Sequence, residues 1–113
     1  MDIRLKKSSD FDKVFKKGKR VYSKSLMIVY ISAKETKIGL SIGKKNGGAV
    51  VRNRIKRLLR AVFRGCANDF VGCYHIVVVP RTSDEYSFAR FDQDIRYCLS
   101  KEKILKVATD NDR

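Results

Sequence analysis

Nine cationic side chains and no carboxylate lie between Thr36 and Asn68: Lys37, Lys44, Lys45, Arg52, Arg54, Lys56, Arg57, Arg60 and Arg64. Guanidinium and ammonium groups at this density are suited to holding phosphate through charge-assisted hydrogen bonds. The run is densest from Lys44 to Arg60, through Arg52-Asn53-Arg54 and Lys56-Arg57. Just ahead of the arginines, Gly47 and Gly48 let the backbone turn and approach a ligand closely. A helix starting there presents unpaired N–H groups at its positive dipole end, which is an anion site. Like charges at i, i+4 destabilise a helix by ~0.2–0.5 kcal/mol per pair, so a cationic row without acids is a poor structural choice and a good polyanion surface. The plain alternative is a solvated basic face, the usual fate of a charge run.

Groups that make or break covalent bonds are sparse. His75 is the single histidine and stands among apolar residues of a strand-like run. Cys66, Cys73 and Cys98 are odd in number and show no metal-ligand spacing, so all three are expected reduced and partly buried. The acids are scattered, with no pair at metal-binding spacing beside a third ligand. Gly43 to Gly48 lacks the Gly-Lys-Ser/Thr ending of a phosphate-binding loop. The residues therefore point to binding, with no catalytic residue, no metal ligand and no small-molecule substrate expected.

The elements that must position this surface fit one domain of 113 residues. Lys and Arg number 26 against 12 acids, a net charge of +14, while a 43% hydrophobic content argues for a packed core. A folded domain so basic has nucleic acid or an anionic membrane as its ordinary partner. No export signal or membrane span is visible, which favours the cytoplasm.

In chain order, a basic lead-in over 2–7 is followed by a helix capped by Ser8 or Ser9. Phe11, Val14 and Phe15 fall on one face of it, and Gly18 stops it. Val21 and Tyr22 suggest a short edge strand, and Leu26 to Ala33 is a strand. Ile38, Leu40 and Ile42 alternate with Gly39, Ser41 and Gly43, giving one apolar face and one of very small residues. Val50 to Cys66 reads as an amphipathic helix with Val51, Ile55, Leu58, Leu59, Val62 and Cys66 on its core stripe. Arg52, Lys56, Arg60 and Arg64 climb the other side, with Asn53 and Arg57 beside them, and Arg54, roughly 200° from Arg52 on the helical wheel, flanks the opposite edge of the apolar stripe. Cys73 to Val79 reads as a central strand. Ser83, Asp84 and Glu85 signal the approach to a last helix carrying Phe88, Phe91, Ile95 and Cys98 or Leu99. Residues from about 106 to 113 read as a frayed tail. The order α-β-β-β-α-β-α makes an α+β fold, a two-layer α/β sandwich. Aromatic residues on a sheet beside a basic helix lean toward RNA with single-stranded contact.

The run Lys44-Lys45-x-Gly47-x-Ala49-Val50-x-Arg52-Asn53-Arg54-x-Lys56-Arg57-x-x-Arg60 resembles the signature of the protein subunit of bacterial ribonuclease P. The likeness extends to Leu5-Lys6-Lys7-x-x-Asp10-Phe11-x-Lys13-Val14-Phe15-x-x-Gly18 and to Ile38-Gly39-Leu40-Ser41. It implies a fold like the second domain of a small-subunit ribosomal protein, with a left-handed β-α-β crossover against the usual right-handed rule. It also implies a ribonucleoprotein endonuclease whose RNA subunit removes the 5′ leader of precursor tRNA with Mg²⁺, the protein binding no cofactor itself.

On the same resemblance Lys44, Lys45, Arg52, Asn53, Arg54, Lys56, Arg57 and Arg60 are expected to bind RNA. Phe11, Phe15, Val29 and Arg81 are expected to line the leader cleft. Gly48 stands where the family usually has Asn, Val29 where an aromatic residue is common, and Pro80-Arg81 replaces a more basic strand end. The alternative is a ribosomal or assembly RNA-binding protein with no linked reaction, which charge and size alone would support.

Overall fold

The structure is a computed structural model and describes residues 4–106. Its elements are α1 (Ser8–Lys17), β1 (Lys19–Tyr22), β2 (Leu26–Ser32), β3 (Lys37–Leu40), α2 (Ala49–Cys66), β4 (Tyr74–Pro80) and α3 (Phe88–Lys101). Short 3₁₀ turns at Lys44–Asn46 and Ala67–Asp69 flank α2. The α+β order expected from the sequence is the order found.

One four-stranded sheet runs β1-β2-β4-β3. β1 pairs with β2 and β2 with β4 antiparallel, while β3 lies parallel to β4. Parallel neighbours need a long crossover, and here it is the α2 segment. β4, almost entirely apolar, is central as expected.

The period-2 alternation of the strands divides the core between the two sheet faces. Val21, Leu26, Ile28, Ile38, Ile76 and Val78 meet Ile55, Leu59, Val62 and Phe63 of α2 and Phe91, Ile95 and Leu99 of α3. At ~1.5–3 kcal/mol per fully buried large apolar side chain, this layer is the main source of stability. On the opposite face α1 lays Val14 over Val29 and Val77, with Leu5 beside them and Phe11, Phe15, Met27, Ile31 and Val79 as a half-buried margin.

Several local expectations are corrected. The N-cap position of α1 is Lys7, and neither Ser8 nor Ser9 caps it, because both already lie inside the helix. Gly18 does stop α1, its N–H donating to the Val14 carbonyl at 2.7 Å. It does so in extended backbone, φ −76°, so conformational freedom is not the reason for glycine. A Cβ there would stand 2.4 Å from the Val14 oxygen and 2.6 Å from Val29 Cγ1, so only glycine fits. Val51 is 40% exposed, since the first turn of α2 overhangs the core, and Phe63 takes a place on the buried stripe. Helix α3 starts from Ser87, whose Oγ accepts from Arg90 N at 3.2 Å, while Ser83–Glu85 stay in the loop. Cys66 and Cys98 are buried, but Cys73 is exposed; all three are free thiols.

After α3 the chain turns at Lys103, φ 62°, and returns to the core. Ile104 and Leu105 are buried there, and Lys106 N donates to the Asp69 carbonyl at 2.8 Å. Of the expected tail, Lys106 is thus tied down, and 107–113 lie outside the described residues.

Candidate nucleic-acid interface

The buried residues of α2 are Ile55, Leu59, Val62, Phe63 and Cys66, which fixes the direction in which the rest of the helix looks. At 3.6 residues per turn an i, i+4 row drifts by about 40° per step. The row Arg52, Lys56, Arg60, Arg64 therefore spirals outward and does not stay on one face. Arg52 and Lys56 are half-buried at the edge of the core face, and Arg60 and Arg64 are exposed. Arg52 carries its Nε buried without a hydrogen-bond partner. The centre of the solvent face is Asn53, Arg57, Arg60 and Arg64, all exposed. Among the described residues the ion pairs involve none of the cations of α2, and neither Lys44 nor Lys45. The positive field of this face is left to solvent or to a ligand.

Arg54 is different. It leaves α2 on the other side, where its Nη1 donates to the Tyr86 carbonyl at 2.7 Å and fastens the helix to the loop before α3. That bond consumes part of its donor set.

The loop ahead of α2 is organised by Asn46, a residue that nothing in the sequence spacing marks. It is 3% exposed. Its Oδ1 accepts from Gly43 N at 3.1 Å, and its Nδ2 donates to the Pro80 carbonyl and to Tyr86 Oη, both at 3.3 Å. Gly47 follows at φ 126°, a left-handed conformation that favours glycine. Gly48 is extended, and a Cβ on it would meet nothing within 4 Å, so the ground above the α2 N-terminus is open. Lys44 and Lys45 are both exposed beside it.

The second feature is the groove between α1 and the sheet. Phe11 and Phe15 are one turn apart and both half-buried, so each offers part of its ring to the outside. The small face expected at Gly39 accommodates Phe11: a Cβ on Gly39 would stand 2.7 Å from that ring. Val29 departs from its expected role. It is fully buried beneath α1, so it shapes the floor and has no surface left to touch a strand. Arg81, at the end of β4, is exposed and held by its Nε donating to the Ser23 carbonyl at 2.9 Å. At the other end of the groove an open depression of about 820 Å³ lies between Lys13, Ile31, Lys34, Glu35 and His75.

Among the described residues no group of three His, Cys, Asp or Glu side chains is arranged to hold a metal ion. His75 stands half-buried in register with Ile31 and Lys37. The geometry offers cations, backbone donors and aromatic rings, the means of binding a polyanionic strand.

The family model for ribonuclease P matches residues 1–103. The chain belongs to the ribonuclease P protein family. The ribonuclease P protein component of Oceanobacillus iheyensis is 36% identical over 107 residues, spanning 91% of this chain and 88% of that protein. That of Finegoldia magna is 39% identical over 84 residues, 74% of each chain. Among solved structures, the Staphylococcus aureus RNase P protein superposes with a TM-score of 0.83 at 26% identity, covering 94% of this chain and all of that one. The Thermotoga maritima protein gives a TM-score of 0.78 at 25% identity over 87% and 96% of the two chains. As a ribonuclease P protein the chain is an RNA-binding component of a tRNA-processing nuclease, and it has an RNA partner. No helix among the described residues is long and apolar enough to cross a membrane.

Proposed function

We propose that this protein is the non-catalytic subunit of a cytoplasmic ribonuclease P. Its α2 face grips the catalytic RNA subunit, and its α1–sheet cleft guides the 5′ leader of precursor tRNA during endonucleolytic removal. The carrying observation is the exposed strip Asn53, Arg57, Arg60 and Arg64, with Lys44 and Lys45 at the helix start and no carboxylate neutralising it among the described residues. A phosphate backbone laid along this strip gains charge-assisted contacts and releases its counterions. Arg52, Lys56 and Arg54 flank the strip, two from the core-side edge and one from the Tyr86 side. In this reading the phosphodiester chemistry and the Mg²⁺ it needs belong to the RNA. The protein contributes position and electrostatics.

The cleft assignment is supported by the half-buried pair Phe11 and Phe15, with Arg81 at the strand end. Its test is the affinity of the reconstituted holoenzyme for precursor and for mature tRNA. Phe11→Ala and Phe15→Ala should each weaken precursor binding by ~1–3 kcal/mol per lost stack and leave mature tRNA unaffected. Heavy loss of fold stability, ~3–5 kcal/mol, with no discrimination between the two tRNAs would make both rings core residues only.

A further inference from the structure

We infer that Tyr22 is the sheet-side aromatic platform of the cleft, stacking on a base of the single-stranded leader in the role that buried Val29 cannot fill. The inference rests on the leader-binding reading above and goes beyond it by naming a contact and its chemistry.

Strand register puts Tyr22 on the face that α1 occupies. Tyr22 pairs with Met27, and Met27 with Val79, so the three form one cross-strand row. The next row, Arg20, Val29, Val77 and Gly39, is the one that α1 covers. Beyond that cover Tyr22 is 58% exposed, with Met27 and Val79 half-buried beside it. A lone surface tyrosine on an edge strand calls for no explanation. The neighbours of this one do. Directly paired residues stand about 4.5–5.5 Å apart, so Met27 gives the ring an apolar flank. Arg20, two residues earlier on the same face, reaches over the end of α1, its Nη2 donating to the Phe15 carbonyl at 3.3 Å. Arg81 is fixed on the Ser23 carbonyl, one residue beyond Tyr22. An exposed ring with an apolar flank, one anchored guanidinium two residues before it and another held on the next residue's carbonyl, is an arrangement that can hold a base by its face and the adjoining phosphates by charge.

The other tyrosines do not compete for this role. Tyr30 faces the opposite layer, its hydroxyl donating to Glu102 at 2.6 Å, and Tyr74 packs edge-on against it. Tyr86 is stacked on Phe91 and buried, and Tyr97 lies on α3 under Lys101. Charge decides the occupant. The flanking Arg20 and Arg81 favour a polyanion, and a flexible single strand can turn a base onto the ring.

The test uses holoenzyme reconstituted with its RNA subunit and compares precursor tRNA with mature tRNA. Tyr22→Ala should weaken precursor binding ~5- to 150-fold, the range for one lost base stack, with mature tRNA and melting temperature unchanged. Tyr22→Phe should restore the affinity. The chain has no tryptophan, so Tyr22→Trp introduces a single reporter whose emission precursor tRNA should quench and mature tRNA should not. Wild-type precursor affinity in Tyr22→Ala overturns the inference, and so does an equal loss for both tRNAs. If Phe11→Ala and Phe15→Ala still discriminate in that series, the cleft stands and only Tyr22 is excluded. If none of the three discriminates, the leader reading falls with it.

Discussion

Replacing Asn46 by alanine should loosen the platform on which the basic helix is mounted. Four hydrogen bonds are lost: one accepted from Gly43 N at 3.1 Å, and those donated to the Pro80 carbonyl and Tyr86 Oη at 3.3 Å and to the Arg81 carbonyl at 3.5 Å. They are not equal. Gly43 is exposed, so its N–H can return to water. Tyr86 Oη keeps its bonds to Ser83 N and to the Arg81 carbonyl, both at 3.1 Å. The Pro80 carbonyl lies at a buried residue and loses a partner that water replaces poorly. One stranded buried acceptor costs about 1–3 kcal/mol. At roughly 4 °C per kcal/mol for a domain of this size, the melting temperature should fall by about 4–12 °C. Asn46→Asp keeps the acceptor, removes both donors and sets a negative charge against the Pro80 carbonyl. Its folded-state pKa is then raised above the unfolded value. The variant should therefore be worse than alanine at pH 7 and should recover as pH falls toward that of a free carboxylic acid. Circular dichroism melts at pH 7 and near pH 4.5 measure both. Melting of Asn46→Ala within a degree of wild type would refute the assigned role of this side chain.

Other outcomes are expected. Gly39→Ala puts a methyl 2.7 Å from the Phe11 ring and should destabilise the protein by ~1–3 kcal/mol. It should also impair precursor over mature tRNA binding by displacing that ring; unchanged melting and unchanged discrimination would contradict the packing. Glu102 joins Lys19 at 2.8 Å and Tyr30 Oη at 2.6 Å. The hydrogen bond from Lys19, then that from Tyr30, hold its carboxyl below the usual range, so its stabilisation is present above the unfolded pKa and lost as pH falls through the folded one. Burial, then the bond to Glu102, push the Tyr30 phenol up from 10.0 to about 12, so its contribution is complete below pH 10 and is lost as pH rises toward 12. Stability against pH for Glu102→Gln should lose the acid-side slope and flatten the alkaline one. A profile parallel to wild type would refute the coupling.

The basic amphipathic helix was legible because its cations and its apolar period share one stretch, which forms α2. The i, i+4 row spirals around α2 instead of keeping to one side, and Arg52 sits at the edge of the apolar stripe, as its angle to Arg54 implies. The element order followed from alternation and from Gly18. Asn46 was not legible: a polar residue in a glycine-rich loop carries no periodicity, and its partners Pro80 and Tyr86 are 34 and 40 residues away. The family resemblance sets Val29 in the cleft, whereas its full burial depends on where α1 lands. The return of Ile104 and Leu105 to the core depends on a turn after α3 at a lysine, where no glycine signals it.

Whether α2 is the phosphate-binding element is read most directly from the salt dependence of RNA-subunit binding. Wild-type protein should lose affinity steeply, ~10³–10⁵-fold between 50 and 200 mM salt if ~6–10 phosphates are neutralised. Arg57→Ala removes an exposed cation with no ion-pair partner among the described residues, so it should leave melting unchanged and reduce the log–log slope by ~0.7–0.9. Lys101→Ala, an exposed cation on α3, should leave the slope unchanged. A nearly flat salt dependence, or equal effects of the two substitutions, would contradict a dedicated phosphate-binding face on α2.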